Sequence, residues 1–261
     1  MTGSMDIRRE ILRNVILCQS LEPLGTRPDR NLPPEEPSSA RKVEYFVVAG
    51  VNSSWPFYDL ADRVLSSGRQ PGSIFDVAYE AQNASVRNRL GGKINSGTIY
   101  LLVPIVTAQV LDYLESGTHE NVEAILARTG DVLRNTSEQD VEHLERFIHL
   151  GYEISSRHRE RIGRPKPPQY PAFKGRYANV WEIARAYQHI HTVREMMEGY
   201  PYSLQVYRFL LHNAESGILP ATELIYSVLL SEIGRPDAVA DVVATGLYLV
   251  LTKHPESVLF M

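Results

Sequence analysis

Residues 80–108 read EAQNASVRNRLGGKINSGTIYLLVPIVTA, a polar half that gives way to an apolar one. The polar half carries Asn83, Arg87, Asn88, Arg89 and Lys93. It passes through Gly91-Gly92 and Asn95-Ser96-Gly97 into the apolar run Ile99 to Ala108. A glycine-rich polar entry to an apolar helix leaves several backbone N–H groups unpaired at the helix start. Those donors and the helix dipole favour an anion, and the cations Arg87, Arg89 and Lys93 reinforce that preference. The expectation is a phosphate-binding helix start. The same residues also fit a solvated turn before a core helix, and the sequence alone leaves both readings open.

Outward from this stretch, helical periodicity dominates. Val239, Val242, Val243, Gly246, Leu247, Val250 and Leu251 follow the spacing of one buried helix face. Pro236 suits the first turn of that helix and Pro255 lies past its end. Leu219 to Ile233, Tyr202 to Glu215 and Ala178 to Glu198 read as further helices, followed by Gly234, Gly217 and Gly199. Thr136-Ser137-Glu138-Gln139 fits a capping box before a helix that reaches Leu150, with Gly151 as its terminator. Thr118 is placed to cap a short helix ending at Gly130, and Ser73 to Leu90 leads into the opening stretch. Ile7 to Leu21 and Val43 to Leu65 complete the series, the latter kinked or split at Pro56. No run alternates as a strand would, and no hairpin dipeptide joins such runs. The expected fold is all-α, one domain over residues 1–261 with about ten helices. Segments 22–39 and 155–176, rich in proline and charge, interrupt the helices.

The chain's 261 residues suffice for a sizeable core. A net charge of −4 provides no global basic field for nucleic acid. No apolar run approaches the roughly 20 residues that span a bilayer. The start, MTGSMDIRREILRN, has charges inside its first apolar segment and no small-residue cleavage site, so no secretory signal is expected. Cys18, the lone cysteine, excludes an internal disulfide and a multi-cysteine zinc site, which makes the cytoplasm the default setting. His189 and His191 lack the spacing of a zinc helix, and neither a nucleophile elbow nor a P-loop lysine motif is present.

In their order these pieces resemble the triphosphoribosyl-dephospho-CoA synthase family, particularly its shorter archaeal-type members. LEPLGTRPDRNL (21–32) is similar to the family's Pro-Lys-Pro-Gly-Asn segment, with Arg27-Pro28 as the Lys-Pro part and Asp29 in place of glycine. VEYFVVAGVNSSWPFYDLADR (43–63) resembles the helix that follows it. GGKINSGTIYLLVPIVTA (91–108) resembles the Asn-Thr-x-x-Gly stretch and its apolar helix; Asn95 and Gly97 fit, while Lys93-Ile94 replace Asn-Thr. NTSEQDVEHLERFIHLGYE (135–153) is similar to the Thr-Thr-x-x-Asp-Ala helix. VREMMEGYPYSLQVYRFLL (193–211) resembles an Arg-Glu-x-x-x-Gly-Phe segment, although Ile190 and His191 stand where the family has an aspartate. DAVADVVATGLYLVLTKHPESVL (237–259) resembles the last family helix.

The resemblance implies an all-helical enzyme that takes ATP, displaces adenine and joins the 5-triphosphoribosyl group to the 2′-hydroxyl of 3′-dephospho-CoA, with Mg2+. Such chemistry needs groups for the triphosphate, a carboxylate beside the sugar, and a proton carrier for the attacking hydroxyl and departing adenine. Arg87, Arg89 and Lys93, with Asn95, Ser96 and Gly97, are the candidates for triphosphate; their other reading is solvated surface. Arg27 is a further phosphate candidate or a partner in a loop salt bridge. Asp76 and Glu80 lie four residues apart on one helix face and are placed to share Mg2+, or simply form an exposed acidic face. Glu195 and Glu80 are the catalytic candidates, Glu195 otherwise being a surface helix residue. Asp59 and Asp62 are lesser ones. Arg157, Arg159, Arg161, Arg164 and Lys166 read as a basic loop over the phosphates, a contact for RNA or an acidic partner, or a solvated insertion. Expected partners are the small molecules ATP and a hydroxyl acceptor, without nucleic acid or membrane, and with a homodimer left open. The alternatives are a non-catalytic helical binding protein and an ATP N-glycosidic hydrolase that uses water.

Overall fold

The apolar run after Ser96 forms the centre of the molecule. In the computed structural model it is α5 (Ser96–Ser116), and every side chain from Thr98 to Val110 is buried. The description covers residues 6–26, 43–87, 93–118, 121–161, 163–167, 169, 172–213, 215 and 217–254. Before α5 come α1 (Ile7–Thr26), α2 (Val43–Ser53), α3 (Trp55–Ser67) and α4 (Asp76–Ser85). After it come α6 (Val122–Arg134), α7 (Glu138–Arg161), α8 (Val180–Ala186), α9 (His191–Met197), α10 (Pro201–His212), α11 (Ile218–Ile233) and α12 (Pro236–Lys253). The fold is all-α, with no strand among the described residues.

Two helices carry the core. α12 is buried almost continuously from Ala238 to Thr252, and it packs on α1, α5, α10 and α11. α5 packs on α3, α4, α6 and α12. A helix that is apolar on all sides is stable only when surrounded, and these two are surrounded. By length and composition α5 is the one helix among the described residues that could cross a membrane, and most of it is buried in the bundle. Pro104 removes one ladder donor inside α5. One residue triplet earlier, the Leu101 carbonyl accepts a hydrogen bond from the Tyr200 hydroxyl at 3.0 Å.

Pro56 splits its segment as expected, into α2 and α3, with the proline in the first turn of α3. Pro236 likewise opens α12, and Gly234 closes α11 in a left-handed conformation. Other expectations are corrected. α6 begins at Asn121, whose side chain accepts the Ala124 N–H at 3.1 Å, rather than at Thr118, and it runs through Gly130. α7 does not stop at Gly151 but continues to Arg161, so three cations of the basic segment sit on a helix and not in a loop. The helix expected over 178–198 breaks into α8 and α9 around Tyr187–Ile190, where no proline or glycine intervenes. α1 runs through Pro23 to Thr26, and the remainder of the 22–39 segment lies outside the described residues.

Candidate functional site

The first turn of α5, the middle of α7 and the α8–α9 pair enclose a cleft of about 270 Å³. This approaches the lower end of the ~300–1,000 Å³ range of small-molecule sites. Tyr100, Phe147, Tyr152, Phe173 and Tyr187 supply aromatic walls, and Lys93, Ser96 and Gly97 form one edge. Tyr100 and Phe147 lie nearly parallel, with ring centroids 6.5 Å apart and planes at 13°. Phe173 meets Tyr187 edge-on at 5.4 Å. Glu145 on α7 fixes the Phe173 turn by accepting the N–H groups of Phe173 and Lys174. Thr136 Oγ1 accepts the Val180 N–H at 2.9 Å and anchors the start of α8. Asp140 is fully buried and ties two helix starts together. It accepts from Ile74 N (2.7 Å) and Phe75 N (2.8 Å) before α4, and from Ser137 N (3.1 Å) before α7. The capping signal read at 136–139 is therefore realised one residue on, between Ser137 and Asp140.

Gly151 shapes the cleft edge. A Cβ on it would lie 3.1 Å from the Lys93 Cδ, so glycine lets the lysine stem cross α7. Gly97 makes a second close approach. A Cβ there would come within 2.7 Å of Asp241 Oδ1 and closer still to the rest of that carboxylate. The Asp241 side chain thus lies against the Gly97 backbone, from α12 to α5. Its Oδ1 accepts from Thr98 N at 3.0 Å and from Thr98 Oγ1 at 3.2 Å. Asp241 retains some exposed surface, yet its burial among protein atoms pushes its carboxyl up to about 7. Lys93 opposes that rise and Asp237 adds to it. Asn95 precedes the helix in a left-handed conformation, φ 58°, that few side chains adopt. Its amide does not cap α5 but donates to Gln19 Oε1 at 2.7 Å, and Ser53 Oγ donates to the same oxygen at 3.1 Å. Ser96 Oγ donates to Gln82 Oε1.

The start of α5 is therefore not a bare anion cradle. Thr98 N–H is taken by Asp241. The Ser96 and Gly97 N–H groups meet no acceptor among the described residues and stay available beside exposed Lys93. An ammonium and two backbone donors share this edge; the Asp241 carboxylate packs against Gly97 from α12 and is not itself part of the cleft lining.

The sequence candidates are distributed unevenly around this cleft. Lys93, Ser96 and Gly97 line it, and Asn95 lies one residue from it. Arg87 is exposed at the end of α4, outside the lining, with its carbonyl accepting from Asn52 Nδ2 at 2.9 Å. Arg27 and Arg89 lie outside the described residues. Asp76 is held by Arg63 at 2.8 and 3.2 Å, and Glu80 is exposed. The pair does not fit a shared magnesium ion, because a guanidinium already occupies the Asp76 carboxylate. Among the described residues no group of three or more His, Cys, Asp or Glu is placed to hold a metal. Glu195 is 1% exposed and lies outside the cleft lining. It accepts from Ser203 N at 2.7 Å and Tyr202 N at 3.3 Å, capping α10, whose Tyr200 N-cap contributes no side-chain bond. Burial pushes its carboxyl up, and those backbone donors counter the rise. Glu195, a catalytic candidate from the sequence, thus sits at the start of α10 and not in the cleft.

Ser155 and Pro167 line the far end of the cleft, so the basic segment borders it. Arg157, Arg159 and Arg161 project from the last turns of α7 and are exposed. Arg159 Nη1 donates to the Pro165 carbonyl at 3.2 Å. Sequence reasoning missed Asp241 and Glu22. Asp241 did leave a signal, a carboxylate set between the buried positions Val239, Val242 and Val243.

No protein-family model and no curated protein matches the chain. In three dimensions the chain is similar to a crystal structure from Archaeoglobus fulgidus of a protein provisionally named triphosphoribosyl-dephospho-CoA synthase. The TM-score is 0.55 with 17% identity, over 82% of this chain and 99% of that one. The likeness is one of fold, and it is the fold that the ordered segments 21–32 to 237–259 led one to expect.

Proposed function

We propose that the chain is a transferase that takes the triphosphoribosyl group of ATP, releases adenine and joins the sugar to a hydroxyl acceptor such as 3′-dephospho-CoA. The observation that carries this reading is the meeting of an aromatic cleft with a cation and open backbone donors at the start of α5. The aromatic walls suit a purine base. Lys93 with the Ser96 and Gly97 N–H groups suits phosphate oxygens, charge-assisted bonds being worth about 1.5–3 kcal/mol each. Arg27, Arg87 and Arg89 remain phosphate candidates on sequence grounds, and residues 1–261 are taken as a single domain.

In the reaction the C1′–N9 bond of ATP breaks with its electron pair leaving on adenine. The acceptor oxygen forms the new bond to C1′, and the hydroxyl proton ends on the departing base. A carboxylate that takes up that proton and gives it back balances the step, and its efficiency is greatest when its pKa lies near the working pH. Asp241, whose carboxyl packs against the Gly97 backbone and is pushed up to about 7, joins Glu195 and Glu80 as a candidate for that role, although none of the three lines the cleft.

Chromatography of adenine after incubation with ATP, with and without 3′-dephospho-CoA in magnesium buffer, tests the reading. Adenine is expected only with the acceptor, and Asp241→Asn is expected to slow its release about 10²-fold or more. Adenine formed equally well without acceptor would mean hydrolysis. ATP binding with no release under either condition would mean a non-catalytic scaffold.

A further inference from the structure

Seven arginines and lysines but a single acid, Glu160, fall within residues 157–176, in a chain whose net charge is −4. This local excess of positive charge borders the cleft, and the proposed reaction leaves it unused. Leu144, Phe147, Ile148, Gly151, Tyr152 and Ser155 line the cleft at the three- and four-residue spacing of one face of α7. Arg159 continues that face one turn past Ser155 and is exposed. Two contacts fold the chain that follows back against it. Its Nη1 donates to the Pro165 carbonyl at 3.2 Å, and its own carbonyl accepts the Arg164 N–H at 2.8 Å. The same turn leads to Pro167 in the cleft lining, with the exposed Lys166 beside it. One bond to Pro165 leaves the other guanidinium donors of Arg159 open.

The cleft thus has cations at both ends and, among the described residues, no acid in its lining. Lys93 marks the first end, where its stem crosses α7 at Gly151. Arg159 stands two turns further along α7, about 12 Å at the helical rise. The aromatic walls between the ends suit a base, and one triphosphate occupies one end only. The other end calls for a second anionic group, and an arginine with a lysine suits a phosphate ester. An extended nucleic acid fits less well, because these cations open on a cleft of about 270 Å³ and the chain as a whole is acidic.

We propose that Arg159 and Lys166 form a second anion site, which holds a phosphate or pyrophosphate group of the hydroxyl acceptor while the phosphates of ATP stay at Lys93. The acceptor is then a phosphate ester. Its role as acceptor rests on the transfer reading above, but the anion site does not.

Calorimetric titration with inorganic pyrophosphate is the arm without turnover. Lys93→Ala silences the first end, and this variant is expected to bind pyrophosphate still. Adding Arg159→Gln and Lys166→Gln is expected to weaken that binding at least about tenfold, through the loss of two charge-assisted contacts. All three side chains are exposed, so folding is not at stake. No pyrophosphate binding by Lys93→Ala, or equal binding after the two further changes, overturns the proposal. A labelled single-stranded RNA that Lys93→Ala holds against excess pyrophosphate overturns it too. In the arm with turnover, Arg159→Gln with Lys166→Gln is expected to raise the KM for 3′-dephospho-CoA at least about tenfold and to leave the KM for ATP within about threefold of the parent. An ATP KM that rises as much would put the triphosphate at this end and overturn the assignment, as would an acceptor KM that does not rise. Weakened pyrophosphate binding with no adenine release by any form sinks the transfer reading alone. Undisturbed pyrophosphate binding with intact adenine release sinks the second anion site alone.

Discussion

Gly97→Ala probes the contact between α5 and α12 on which the site depends. The added methyl would overlap the Asp241 carboxylate, reaching within 2.7 Å of Oδ1 and closer to Cγ and Oδ2. The carboxylate is held at 3.0 and 3.2 Å by Thr98, so it has to leave both donors to make room. Hydrogen bonds to a charged group are worth about 1.5–3 kcal/mol each. Because Asp241 keeps some contact with solvent, water replaces part of that loss, and about 2–3 kcal/mol remains. Alanine returns about 1 kcal/mol through its better helix propensity. The net expectation is a loss of about 1–2 kcal/mol, read as a lower urea midpoint by circular dichroism. The companion measurement is Gly97→Ala in an Asp241→Ala background. With the carboxylate gone the methyl has space, and the same change is expected to stabilise by about 0.5–1 kcal/mol. Gly97→Ala as stable as the parent would refute the reasoning, as would equal effects in both backgrounds.

The remaining predictions concern the carboxylates. Glu195→Gln is expected to lower stability by about 1 kcal/mol through a weaker α10 cap, with adenine release per folded molecule within about twofold of the parent; a tenfold loss at unchanged stability would restore a catalytic role. Asp140→Ala is expected to cost about 3–5 kcal/mol, since it strands the N–H groups of Ile74, Phe75 and Ser137 at two helix starts, and calorimetry checks it. Stability is expected to fall as pH rises from about 5 to about 8. Glu22 and Asp241 bind protons more tightly folded than unfolded, so their stabilisation is complete below the ordinary carboxylate range. It fades through about 7 for Asp241 and about 8 for Glu22. Each contributes a slope of up to about 1.4 kcal/mol per pH unit, and a stability curve flat over that range would contradict this.

Much of the helix pattern was legible because its determinants are local. The apolar run after Ser96, Pro56 between two helices, Gly234 closing α11 and Pro236 opening α12 all act through neighbouring residues. Some departures were local, as where Asn121 and not Thr118 caps α6, but others turned on a distant partner. Gly151 looks like a helix end, but its missing side chain serves Lys93 on another segment. The α8–α9 break carries no proline or glycine, and Ile183, Tyr187, Ile190 and Val193 on both sides of it face the cleft. Lys93, Ser96 and Gly97, read from their own stretch, line the cleft. Asp241 was not legible in this way, because its meaning comes from Gly97 and from Thr98, which is 143 residues away in sequence. The partners of Asp76 and Glu195 were hidden for the same reason: Arg63 and the start of α10 bind them, and neither contact shows in residue type or spacing.

A crystal structure with a non-hydrolysable ATP analogue at saturating concentration tests the central claim most directly. The base is expected among Tyr100, Phe147 and Tyr187, with phosphate oxygens within hydrogen-bond distance of Lys93 and the sugar facing Asp241 across Gly97. An analogue lodged elsewhere on the molecule, or a cleft that stays without density, would contradict the account.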